Sequence, residues 1–207
     1  IPLRLVGSEM CIRDRYNRGK VLNKDDLDEI ENFGRYLDVD NDGICYRTYP
    51  GTHPEKGAFF TRGTSHDEYA RYTEDGEVNA ATLSRLMKKF RTASELVPKP
   101  VIEINGEDSC GVIFYGSTSP AVHEAKDILK DKEINIDLMQ IRSFPFNLDV
   151  WEFIANHDRI YVVEQNRDSQ MRTLIMAEGG ISPEILRPLV HFTGDPIQAS
   201  YIVNKIS

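Results

Sequence analysis

From Val101 onward, short apolar runs alternate with segments of helical period, and no other feature of the chain restricts its fold as much. The run GVIFYG (111–116) is rich in branched and aromatic residues and offers almost nothing to turn toward water, as in a strand buried on both faces. INIDLMQI (134–141), IYVVE (160–164) and LVHF (189–192) read as further strands. Between them, Ser119 and Pro120 supply a cap and first-turn signature for a helix over 120–131. Val150, Trp151 and Ile154 mark the inward face of a helix over 148–155, a third helix is expected over 168–177, and a fourth after Asp195 and Pro196. Repeated β–α units with apolar strands predict an α/β fold, a parallel sheet with helices on both faces, over residues 100–207.

Residues 16–99 have a different character. Asn23 is placed to cap a helix whose apolar positions Leu27, Ile30 and Phe33 share a face. About forty polar, turn-rich residues follow with little periodicity, and loops this long in compact proteins usually carry function or lie across a partner. They end at an amphipathic helix over about 79–97, where Leu83, Leu86, Met87, Phe90, Ala93 and Val97 follow the helical spacing. PKP (98–100) reads as a stiff linker into the α/β part.

The first stretch, IPLRLVGSEMCIRDRY, suits neither a signal peptide nor a folded element, because Arg4, Ser8, Glu9 and Arg13 interrupt every apolar run. Back-translated, Leu5 to Arg15 resembles one strand of a transposase-type sequencing adapter read in a single frame. Residues 1–15 are therefore expected to be translated adapter and disordered, with natural sequence beginning near Tyr16 and the chain a fragment of something longer.

Composition excludes several classes. A net charge of −8 argues against a general nucleic-acid surface, which needs clustered Lys and Arg. No apolar run approaches the roughly 20 residues a membrane helix requires. With Cys11 inside the suspected adapter, only Cys45 and Cys110 remain, too few and too far apart for a zinc or iron–sulfur ligand set. They suggest a reducing compartment, and the cytoplasm is the expected location.

Four stretches carry candidate chemistry. DVDNDG (38–43) puts Asp38, Asp40, Asp42 and Gly43 at calcium-loop positions, but Tyr49 stands where the bidentate acid belongs, so an acidic turn held by Asx hydrogen bonds is the better reading. YGSTSPAV (115–122) offers small residues at a strand-to-helix turn, either an anion cradle or plain capping. VVEQNRDSQM (162–171) sets Glu164 to Asp168 at the carboxyl end of a strand, where α/β folds bind ligands; capping by Asn166 or Asp168 explains it equally well. The stretch 46–69 concentrates Arg47, His53, Lys56, Arg62 and His66 among hydroxyls, glycines and prolines. Arginine suits bidentate carboxylate recognition and histidine proton transfer, while a solvated interface loop is the competing reading. Ser65 beside His66 is no evidence of a nucleophile–base pair.

Taken together, YLDVDNDGICYRTYPGTHPEKGAFFTRGTSHDEYARYTED, GVIFYGSTSPAVHEA, IRSFPFN and VVEQNRDSQMRTL resemble, in that order, the late part of the alpha subunit of the 2-oxoacid:acceptor oxidoreductase family, the 2-oxoglutarate:ferredoxin type in particular. The resemblance implies a transketolase-C-terminal-like domain over 100–207 and, over 16–99, a segment following an absent pyrimidine-binding domain. It implies a complex that oxidatively decarboxylates a 2-oxoacid on thiamine diphosphate with Mg²⁺, passes electrons through an iron–sulfur cluster to ferredoxin and makes an acyl-CoA. Those cofactors would belong to a partnering beta subunit, with no catalytic, cofactor or metal residue in this chain. It places the loop around Arg47 nearest the substrate, with Thr61 and Arg62 as hydrogen-bonding neighbours and His66 as a further candidate. A guanidinium fork suits the distal carboxylate of a dicarboxylate substrate. The alternatives are a non-catalytic assembly or binding module and, with the glycine fingerprint missing, a free nucleotide-binding protein.

Overall fold

The apolar runs become strands of one sheet. The structure is a computed structural model and describes residues 17–61, 65–106 and 110–207; the suspected adapter and Tyr16 lie outside the described residues. The chain divides into two compact units, the first ending at Thr92 and the second beginning at Ala93.

In the second unit the strands are β1 (Val101–Glu103), β2 (Cys110–Tyr115), β3 (Ile136–Ile141), β4 (Ile160–Glu164) and β5 (Leu186–Val190), in the order β1-β3-β2-β4-β5. β2, β3, β4 and β5 run parallel, as expected, but β1 pairs antiparallel with β3 at one edge. An edge strand has one neighbour and needs no long apolar run, so these three residues left no signal to read. The register aligns Val112 with Leu138 and Tyr161, and Ile113 with Met139 and Val162. Because side chains alternate along a strand, these rows line opposite faces. The first face packs beneath α3 (Ser119–Asp131) and α6 (Ala199–Ile206), the second beneath α4 (Leu148–Ala155) and α5 (Gln170–Gly179).

Several local expectations shift. A 3₁₀ turn over Gly116–Thr118 leads out of β2, so Thr118 takes the cap position of α3 and Ser119 falls inside the helix. In α4 the buried residues are Val150, Phe153 and Ile154, while Trp151 is only half-buried at the margin of that core. α5 starts two residues late because Asn166 Oδ1 accepts from the amides of Asp168 (3.1 Å) and Gln170 (3.2 Å), winding 166–169 into a turn. The PKP linker is strapped down: Ser143 Oγ donates to the Pro98 carbonyl at 2.6 Å and Lys99 meets Asp149 at 3.1 Å. Asn147 caps α4 through the Asp149 amide and donates its own amide to the Ser94 carbonyl at 2.9 Å.

The first unit is built from turns around two helices, α1 (Lys24–Glu29) and α2 (Gly76–Leu96), the last four residues of α2 falling past its boundary. Asn23 caps α1 in a reciprocal capping box with Asp26. The helix stops at Glu29, so Ile30 and Phe33 are not on its face; Lys56 Nζ instead donates to the carbonyls of Leu27 (2.7 Å) and Ile30. A cation at a helix C-terminus meets both the unpaired carbonyls and the negative end of the dipole.

The turn 38–43 rests on α2. Arg85 donates to the Gly43 carbonyl at 3.1 Å, Thr92 Oγ1 to the Asp42 carbonyl, and Lys88 to the Asn41 side chain. Gly43 has φ +81°, and a Cβ there would come 2.4 Å from the Lys89 nitrogen. Both the conformation and the approach require glycine. No residue of α2 is buried, although its spacing is amphipathic.

Candidate functional site

The acidic turn is resolved in favour of Asx hydrogen bonding. Asp38 Oδ1 accepts from the amides of Asp42 (3.0 Å) and Gly43 (2.9 Å). The carboxylates of Asp40 and Asp42 hold the ammonium of Lys20 at 2.6 and 2.7 Å, and Lys20 also donates to the Ile44 carbonyl at 3.0 Å. Burial works to lower the Lys20 pKa, but hydrogen bonds and charge from the two carboxylates outweigh it and raise the pKa well above the ordinary lysine value. The same hydrogen bonds from Lys20 hold Asp40 and Asp42 below the usual carboxylate range. An internal ammonium thus sits where the motif would have placed calcium.

The loop after it is ordered by its own polar groups. Buried Thr48 donates to the Gly57 carbonyl at 3.0 Å and closes the segment 48–57. His53 Nδ1 accepts from the amides of Lys56 (2.9 Å) and Glu55 (3.1 Å), so its proton is carried on Nε2, which faces Asp28 Oδ1 at 3.2 Å. His53 and Lys56, both singled out by composition, are therefore occupied in holding the loop to α1.

Of the residues assigned to substrate, Arg47 is half-buried. It donates through Nη2 to the Arg18 carbonyl and lies 5.8 Å from the Tyr49 ring centre, while its backbone pairs with Lys20 and Leu22. Thr61 is half-buried, and Arg62 lies outside the described residues. His66 belongs to a different neighbourhood. Its ring stacks on Tyr36 at 3.9 Å and 24°, and Nδ1 faces the Asp67 carbonyl at 3.0 Å. A carbonyl can only accept, so Nδ1 carries the proton and Nε2 is left as an acceptor. Ser65 Oγ turns to Asn79 Oδ1 at 2.9 Å.

Tyr36 is the hub that spacing did not reveal. Besides His66, it has the guanidinium carbons of Arg35 and Arg85 at 5.5 and 5.9 Å from its ring centre, and Phe59 meets it edge-on at 6.0 Å. Arg35 Nε is buried without a hydrogen-bond partner, and its Nη1 reaches the Tyr46 carbonyl at only 3.4 Å. Beside the hub opens a cleft of about 240 Å³ lined by Tyr36, Asp38, Glu68, Thr82 and Arg85. It offers a cation, an aromatic face and two acids. That suits positioning of a polar ligand, and it contains no nucleophile–base pair.

At the carboxyl ends of β2 and β4, where the strand order reverses, the side chains bond to one another. Gln165 Nε2 donates to Ser117 Oγ (3.2 Å) and Thr118 Oγ1 (3.4 Å), and its Oε1 accepts from the Ile197 amide at 3.3 Å. Fully buried Glu164 accepts from the amides of Met171 (2.8 Å) and Arg172 (3.0 Å) and from Asn166 Nδ2 (2.8 Å). Capping explains this stretch, but the carboxylate that caps α5 is Glu164, reaching it from the strand end. Burial, then the Glu164 charge, raises the Tyr115 pKa.

No protein-family model matches the chain. In sequence it is similar to the alpha subunit of 2-oxoacid:ferredoxin oxidoreductase 2 from Aeropyrum pernix, 28% identical over 195 residues that cover 91% of this chain and 28% of that protein. It is also similar to the alpha subunit of the 2-oxoacid:ferredoxin oxidoreductase of Saccharolobus solfataricus, 26% identical over 188 residues, covering 88% of this chain and 28% of that protein. In fold it is similar to 2-oxoglutarate:ferredoxin oxidoreductase from Magnetococcus marinus, solved with 2-oxoglutarate, coenzyme A and succinyl-CoA bound. There the TM-score is 0.74 at 22% identity, over 86% of this chain and 31% of that one. The homologues are thus 2-oxoacid:ferredoxin oxidoreductase alpha subunits, as the four sequence blocks implied, and the chain spans 28% of the length of those it matches. Among the described residues no helix is long and apolar enough to cross a membrane.

Proposed function

We propose that this chain is part of the alpha subunit of a thiamine-diphosphate-dependent 2-oxoacid:ferredoxin oxidoreductase, with 2-oxoglutarate as the 2-oxoacid and an acyl-CoA as the product. The observation that carries the reading is the sequence similarity to such a subunit over 91% of the chain. In this reading the thiamine, Mg²⁺ and iron–sulfur chemistry belongs to the beta subunit. Among the described residues no three His, Cys, Asp or Glu side chains gather to hold a metal. Cys110 is buried in β2, and its pKa is raised by burial, which disfavours the thiolate a cluster needs.

The chain's contribution is scaffold, subunit interface and a substrate-proximal loop. Arg47 is the residue assigned to the distal carboxylate, its guanidinium exchanging the Arg18 carbonyl for the substrate, and Thr61, Arg62 and His66 are the further candidates carried over from the resemblance. The reading is tested by producing the alpha subunit with its beta partner and following 2-oxoglutarate- and CoA-dependent reduction of ferredoxin. Turnover is expected from the complex and none from the isolated chain. Arg47→Ala should lower kcat/KM for 2-oxoglutarate at least about tenfold, the scale of one lost charge-assisted contact. An inactive complex refutes the activity, and unchanged kinetics in the variant removes Arg47 from the substrate.

A further inference from the structure

We propose that His157 is an imidazolium latch between the end of α4 and β3, and that loss of one ring proton opens the latch and frees the backbone at Asn105. The ring is buried, its side chain 4% exposed, and so is that of its partner Asp137 at 5%. Nδ1 faces the Phe153 carbonyl at 2.7 Å and Nε2 faces Asp137 Oδ2 at 3.1 Å. A carbonyl and a carboxylate can only accept, so both nitrogens donate, and only the cationic ring carries two protons. In His53 and His66 one nitrogen is an acceptor; in His157 neither is.

The surroundings favour that cation. Phe153 contributes one of the last carbonyls of α4, so the ring sits at the negative end of the helix. Asp137 supplies the opposite charge, and its other oxygen, Oδ1, accepts from the Asn105 amide at 2.7 Å. On β2, Cys110 stays an uncharged thiol because burial raises its pKa. Arg159, just before β4, turns to that thiol and to the Tyr161 ring (6.0 Å), while Glu152 and Asp158 are exposed. The ring has no room to seek other partners. Phe153 packs on it at 4.3 Å, and a Cβ on Gly111 would come 3.3 Å from its Cδ2. A neutral ring therefore sets a bare nitrogen against an acceptor and leaves Asp137 as a buried carboxylate without a cation. Exposed Asn105 offers that carboxylate a route to water. Turning there breaks its bond to the Asn105 amide, while Asn105 Nδ2 keeps the Ile136 carbonyl at 2.8 Å. The latch is closed on the acid side of the ring's titration and open on the alkaline side.

An NMR titration of the 207-residue chain from about pH 5 to about pH 9 tests the latch, with the ring nitrogen resonances of His157 reporting its protonation. As the ring passes from cation to neutral form, the protection of the Asn105 amide against hydrogen exchange, corrected for the intrinsic effect of pH, should fall at least about tenfold, the scale of one hydrogen bond to a charged group. In Asp137→Asn the side-chain oxygen still accepts from Asn105 and the NH₂ donates to Nε2. A neutral ring is then satisfied, and the protection should no longer fall. A ring with an acceptor nitrogen at about pH 5, a ring that keeps both protons at about pH 9, or Asn105 protection that stays level through the ring's titration each overturns the proposal. So does an equal fall in Asp137→Asn, which would assign the pH response to another group. Should that variant not fold, the titration of the unaltered chain decides by itself. The readout needs no turnover and is independent of the activity proposed above.

Discussion

Glu164→Gln isolates what a buried carboxylate does at the end of β4. Oε2 accepts from the Met171 amide and Asn166 Nδ2, both at 2.8 Å, and Oε1 from the Arg172 amide at 3.0 Å. Glutamine has the same shape but one acceptor oxygen. Placed at the Oε2 position, its carbonyl keeps two bonds in neutral form and its amide NH₂ confronts the Arg172 N–H, donor against donor. Losing one hydrogen bond to a charged group costs about 1.5–3 kcal/mol, and the buried amide left without a partner makes the upper half of that range the expectation. Removing the negative charge from the helix N-terminus adds about 0.3–2 kcal/mol. The expected destabilisation is about 3 kcal/mol, within about 2–5. Urea unfolding followed by Trp151 fluorescence reports on this unit alone, because Trp151 is the single tryptophan and packs against the core beneath α4 and α5. The midpoint should fall at constant m, and the amides of Met171 and Arg172 should exchange faster. A loss under about 0.5 kcal/mol at unchanged m would refute the assignment, since an idle carboxylate tolerates amidation.

Lys20→Met should free the 38–44 turn, and faster exchange at the Asp42 and Gly43 amides is the measurement. In the unaltered chain the clasp is pH-dependent with a definite sign. Asp40 and Asp42 have folded pKa values below their unfolded ones, so their stabilisation is present above about pH 4, the unfolded carboxylate value, and is lost as pH falls through the folded values. Lys20 is raised, so on the alkaline side its share is fully present below about pH 10.4 and is lost as pH climbs from there through the higher folded value. Amide shifts of 38–44 followed from pH 6 to about 2 should show the acid transition, and Lys20→Met should move its midpoint up toward the unfolded carboxylate value. Gly43→Ala should cost roughly 1–3 kcal/mol for the backbone conformation, and more for the forced separation from Lys89; an unaltered unfolding midpoint of the first unit would contradict that account.

The α/β unit was legible because each strand announces its own burial. Val112, Ile113 and Phe114 alternate between two packed faces, and a run without polar positions has no other stable place. β1 was not legible, since an edge strand of three residues is defined by its neighbour. Capping was legible where it is local, as at Asn23, and hidden where it is not: Glu164 sits six residues before α5 and reaches the helix only because the turn 166–169 folds back. In the candidate site, Arg47, His53, Lys56 and His66 were found by composition, but composition cannot separate a cation that awaits a ligand from one that closes a loop. Lys56 and His53 turned out to close loops. The gathering of Arg85 and His66 around Tyr36 depends on contacts across thirty to fifty positions, for which a single sequence carries no signal.

α2 shows most plainly what periodicity leaves open. The spacing of Leu83, Leu86, Met87 and Phe90 specifies a helix and a stripe, but not which side meets the rest of its unit. That depends on what the unit has to offer. Here the opposing surface is the turn DVDNDG, whose Gly43 and Asp42 carbonyls point outward once Asp38 has taken the turn's amides. Carbonyls under a helix need donors, because a buried unpaired acceptor costs about 1–3 kcal/mol. Arg85, Lys88 and Thr92 supply those donors and three aliphatic side chains would not. The polar face is therefore drawn inward by unmet hydrogen bonds, and the apolar row is turned outward as a consequence. The acidic turn that resembled a calcium loop thus determines which face of the neighbouring helix is left exposed.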